Sequence, residues 1–175
     1  MTPVSGSWTS PALEGGGDAV AVWAAEQLAG LADGVDALCV ATLAAGAHES
    51  VAFWRESLET GLAFANPRAF PWTLANSPTG AIAARLGVRG PTFTLVGRAD
   101  ALAGAFEHAR EELAAGRATA VLVAALDRVP PAHARLAALV LTREDPFVDP
   151  VAGANGEAGP TASELLAEAI EPAPR

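Results

Sequence analysis

The chain has 175 residues, enough for one domain with a real core, and 51% of them are hydrophobic against 18% charged. Its formal net charge is −9, and all 11 basic residues are arginine. No basic stripe exists to displace counterions from phosphates, which excludes nucleic acid as a partner.

No apolar run approaches the length of a membrane span, and the first residues, Met1-Thr-Pro-Val-Ser-Gly-Ser, lack a basic segment followed by an apolar one. Cys39 is the single cysteine and sits in the apolar run Ala37-Leu-Cys-Val-Ala41 with no basic neighbour, so it reads as an inert core side chain. A reducing, cytoplasmic setting is expected.

Residues 1–17 are rich in Ser, Pro and Gly and are expected to form an arm with a short strand over Val4–Trp8. Asp18 is a candidate N-cap for a helix carrying Val20, Trp23, Ala24, Leu28 and Leu31 at helical spacing. Asp36–Thr42 has no polar interior position, the pattern of a strand covered on both faces. From about Glu49, Val51, Trp54, Leu58 and Leu62 recur every three or four residues and predict a second amphipathic helix. Three prolines between Asn66 and Pro78 predict a long irregular loop, with Ser77 capping a short helix that ends at Gly87.

The β-favouring run Thr92–Val96 predicts a strand, and Leu102, Phe106, Ala109 and Leu113 mark the clearest helix, Ala99–Ala115. Ala118–Leu126 is a doubly covered strand, Asp127–Ala134 a Pro-rich turn and Leu136–Thr142 a last strand lying beside its predecessor. This order predicts an α/β fold, a mixed, mostly parallel sheet covered by helices, over residues 18–143. Residues 144–175 read as a Pro/Gly-rich acidic tail, with a short helix at Ser163–Ile170 that is loosely held unless a partner or the body docks it.

Residue chemistry alone assembles no active site. Gly15-Gly-Gly17 lacks the lysine and the strand–helix context of a phosphate loop, and His48, His108 and His133 have no metal-ligand spacing. Neither cofactor nor metal is expected.

The segment Asn76-Ser-Pro-Thr-Gly-Ala-Ile-Ala-Ala-Arg-Leu-Gly-Val-Arg-Gly-Pro-Thr-Phe-Thr-Leu-Val resembles the β-ketoacyl synthases of the thiolase superfamily. Gly90-Pro91 is its most specific part, and Gly116, Ala118–Ala125 and Asp127 continue it without a gap. The resemblance implies a thiolase-like half-fold corresponding to the N-terminal half of a ketosynthase. In that family the strand after Gly-Pro leads to a nucleophilic cysteine at the start of a long buried helix, where the helix end favours a thiolate. The family's register puts Ala99 at the nucleophile position, and a one-residue slip puts Arg98 there.

The histidine pair that drives condensation belongs to the family's second half, which this length does not accommodate. The resemblance therefore implies a pseudoenzyme in polyketide or fatty-acyl biosynthesis, similar to the chain length factors. Its partner would be a ketosynthase or a second copy of itself, with an acyl carrier protein involved only indirectly, since like charges repel. The family dimerises through the strand before the nucleophile, which implies an interface at Phe93, Thr94, Leu95, Val96, Gly97 and Arg98. The alternative is a repurposed acyl-thioester enzyme, a hydrolase, cyclase or dehydratase, drawing on Asp100, His108 or His133.

Overall fold

Strands without polar interior positions need cover on both faces, and two pairs of helices supply it. The computed structural model describes residues 5–129, 133–145 and 161–170. Five strands, β1 (Ser5–Thr9), β2 (Ala37–Thr42), β3 (Thr92–Val96), β4 (Ala120–Val129) and β5 (His133–Thr142), form one sheet in the order β1-β5-β4-β2-β3. β2 pairs in parallel with β3 and β4, whereas β5 runs antiparallel to both β4 and β1.

On one face α1 (Gly17–Leu28) and α3 (Ser77–Leu86) bring Val20, Ala24, Leu28 and Ile82 onto Leu38, Val40, Leu122 and Leu136. On the other, α4 (Ala99–Ala114) and α5 (Ala162–Ile170) set Leu102, Phe106, Leu113, Leu165 and Leu166 against Cys39, Val121, Val123 and Leu139. Burying such a leucine contributes about 1.5–3 kcal/mol. The many alanines let the helices lie close, and Gly104 shows the limit: a Cβ there would stand 2.7 Å from Leu95 Cδ2.

Several expectations are sharpened or corrected. The helix expected at Ser163–Ile170 forms at Ala162–Ile170 and is docked by the body, with Ala162, Leu165 and Leu166 buried. Thr161 and Glu164 form a capping box at its start, the Thr161 N–H donating to Glu164 Oε2 at 2.9 Å and the Glu164 N–H to Thr161 Oγ1 at 3.4 Å. Asp18 does not cap α1, which follows Gly16; its carboxylate instead pairs with Arg85 at 3.2 Å.

Asp127 lies inside β4, because strand pairing continues to Val129 and resumes at His133, where a turn was expected. Short 3-10 turns at Leu62–Phe64 and Phe70–Thr73 stand near and within the proline-rich loop, since Pro71 fits the first positions of such a turn. The expected strand start at Val4 and most of the expected linker, residues 146–160, lie outside the described residues.

The largest surprise concerns α2 (Ala47–Thr60). It turns Phe53 and Ser57 inward and leaves the stripe Val51, Trp54 and Leu58 at 59%, 55% and 74% exposure. Amphipathic spacing fixed the helix but not the side its neighbours would cover.

Candidate functional site

The place to look is where β3 hands over to α4, at the carboxyl ends of the parallel strands. Gly90 controls the approach to β3. Its N–H donates to the Asp36 carbonyl at 3.0 Å, and a Cβ at this position would lie 2.2 Å from that oxygen. The Leu38 N–H then bonds the Pro91 carbonyl at 3.0 Å, so Gly90-Pro91 locks β3 into register beside β2. The Asp36 side chain holds the next strand: burial pushes its carboxyl up, but hydrogen bonds from the Thr119 N–H, the Thr119 hydroxyl and the Ala120 N–H outweigh this and keep it below the ordinary value.

β3 ends at Val96, and the Gly97 N–H donates to the Thr42 carbonyl at 2.9 Å. Arg98 occupies the N-cap, and Ala99 is the first residue of α4, partly buried against the core. The Asp100 carboxylate folds back to accept the Arg98 N–H at 2.9 Å. A fixed negative charge thus occupies the helix end that would otherwise stabilise an anion.

Phe93 and Leu95 face α4, and the Phe93 ring stacks on His108 with centroids 5.2 Å apart and planes 6° from parallel. The Thr94 hydroxyl donates to Thr79 Oγ1 on α3 at 2.7 Å, and Val96 is 53% exposed. β3 is an edge strand, paired only with β2 among the described residues.

The candidate catalytic groups do not converge. His108 pairs with Glu111 at 3.3 Å on the exposed side of α4, two turns beyond Asp100. His133 begins β5, across the sheet from β3, and its Nδ1 lies 3.0 Å from the Ser10 carbonyl. Cys39 is fully buried in β2, where burial and the nearby Glu112 charge push its thiol up to about 12.

α4 is buried along Ala101, Leu102, Ala105, Phe106, Ala109 and Leu113, but Asp100, Glu107, Glu111 and Ala114 are exposed. Its outer side is therefore charged.

Sequence reasoning gave no role to two features at this end of the sheet. Asp127, 2% exposed, accepts the Leu43 N–H at 2.7 Å and the Ser163 N–H at 3.0 Å, tying the exit of β2 to the start of α5. Arg128 pairs with Glu49, joining β4 to α2 beside a crevice of about 20 Å³ lined by Thr42 and Thr79. Both link residues far apart in the chain, so no local pattern announces them. Among the described residues no cluster of His, Cys, Asp and Glu could hold a metal, and no helix is long and apolar enough to cross a membrane.

This strand order with paired helices on each face defines a thiolase-type α/β half-fold. Solved structures with this fold include a ketosynthase in complex with its chain length factor from Xenorhabdus doucetiae, with a TM-score of 0.59, 17% identity and coverage of 72% of this chain and 56% of that one. The ishigamide ketosynthase/chain length factor matches with a TM-score of 0.55, 17% identity and coverage of 62% and 36%. A Streptomyces albus oxazolomycin ketosynthase domain matches at 0.50, with 12% identity and coverage of 71% and 27%. The chain thus spans 27% to 56% of the length of these structures, and the likeness is one of fold. No protein-family model and no curated protein matches the chain.

Proposed function

We propose that the chain is a non-catalytic, ketosynthase-like subunit of a bacterial polyketide or fatty-acyl system, acting by pairing with a ketosynthase or with itself. The observation that carries this reading is Ala99 at the first position of α4, with only Gly97 and Arg98 between it and β3. A methyl group cannot accept an acyl chain. Asp100 strengthens the argument, since its carboxylate would disfavour a thiolate placed beside it. The dispersal of Asp100, His108 and His133 over two elements weakens the alternative of a hydrolase, cyclase or dehydratase.

Pairing is supported by the β3 edge. Thr92–Val96 carries no charge and no proline, the devices that keep an open edge from pairing. The proposed interface is Phe93–Arg98, and a carrier protein engages the complex through the partner. The test is co-expression with a bacterial ketosynthase of a polyketide or fatty-acyl system, followed by affinity purification on this chain. A stable complex, or a homodimer of this chain, supports the reading; a chain that stays monomeric and captures no ketosynthase refutes it. Ala99→Cys is expected to restore no condensation.

A further inference from the structure

The exposed face of α2 is a surface that the β3 edge does not account for. Along the helix Val51, Trp54 and Leu58 make one apolar stripe; the two 3-10 turns packed on α2 add Leu62, Phe64 and Phe70, and Leu74 follows just after the second turn. Phe70 meets the inward Phe53 edge-on, with ring centroids 5.7 Å apart. These seven side chains are 48% to 79% exposed. At that exposure each offers about 100 Å², so together they present on the order of 700 Å², near the ~800 Å² per partner of a stable interface.

Charge selects the occupant. The chain carries −9 overall, yet residues 47–74 expose two arginines, Arg55 and Arg68, and two glutamates, Glu56 and Glu59. The third acid of the segment, Glu49, is held by Arg128. A partner attracted by charge needs a face of one sign, whereas this face is neutral on a strongly acidic chain. It is therefore a place where two copies can meet without net charge repulsion. A straight apolar stripe is also its own complement when an identical helix crosses it about a two-fold axis.

We infer that a second copy of this chain covers the stripe, α2 against α2. The inference rests on reading the chain as a partner subunit and names itself as the partner. The test is the mass of the purified full chain by light scattering between about 1 and 100 μM, a span bracketing μM affinities, for the wild type, Trp54→Glu, Leu58→Glu and Thr94→Pro. Trp54 and Leu58 are exposed, so their variants are expected to keep the wild-type circular dichroism. The expected result is a wild-type dimer that becomes monomeric in Trp54→Glu and Leu58→Glu. A dimer that survives both substitutions but is lost in Thr94→Pro overturns the inference and assigns pairing to the β3 edge. A wild-type monomer at every concentration also overturns it, while capture of a ketosynthase by that monomer would leave the partner-subunit reading standing.

Discussion

Asp127→Ala gives the sharpest test of how this half-fold is held. The carboxylate is 2% exposed and accepts two backbone N–H groups, from Leu43 at 2.7 Å and from Ser163 at 3.0 Å. A hydrogen bond to a charged group contributes about 1.5–3 kcal/mol, and alanine would leave both donors buried without a partner. Part of that loss is offset because a buried carboxylate no longer has to be desolvated, so the net cost is expected near 3 kcal/mol. For a chain of this length that corresponds to a fall in melting temperature of roughly 6–12 °C.

Asp127→Asn keeps the shape and one acceptor but turns an amide donor toward the other N–H, and should cost about half as much. Urea unfolding followed by circular dichroism measures both variants, and hydrogen exchange should show the α5 amides opening first in Asp127→Ala. A loss below about 0.5 kcal/mol for Asp127→Ala, the range of an ordinary surface substitution, would refute the reasoning.

Three further outcomes are expected. Gly90→Ala should cost about 1–3 kcal/mol, because the new Cβ meets the Asp36 carbonyl at 2.2 Å and backbone must move; urea midpoints measure it. Cys39, with its thiol pushed up to about 12, should resist an aromatic disulfide reagent at pH 8 and react only once denaturant unfolds the chain. Asp36 is held below its ordinary value of 3.8, so its contribution to stability is complete above that pH and is lost as pH falls through the folded-state value; acid titration of Asp36→Asn should show a flatter low-pH limb than the wild type.

Much of the architecture was written in local pattern. The doubly apolar runs around Cys39 and Val123 became the two central strands, and Leu102, Phe106 and Leu113 became the buried side of α4. Gly90-Pro91 was read as the mark of a family, and its physical reason emerged only with the Asp36 carbonyl beneath it. Periodicity failed on α2 because it reports that a helix has two unlike faces and not which one the body covers. Composition pointed to the helix that became α5 but left its docking open, because the Pro and Gly around it gave no sign that Leu165 and Leu166 are buried. At the candidate site, the start of the helix at Ala99 was legible in the sequence, whereas the partners that Asp127 and Arg128 hold lie dozens of residues away and no local pattern names them.

The central claim is that the chain performs no acyl chemistry of its own, and a turnover assay tests it most directly. The purified protein is incubated with an acyl thioester and a malonyl thioester while released thiol and condensed product are followed. The account gives rates equal to those without protein. Turnover above that background, abolished by His108→Ala or Asp100→Ala, would contradict it.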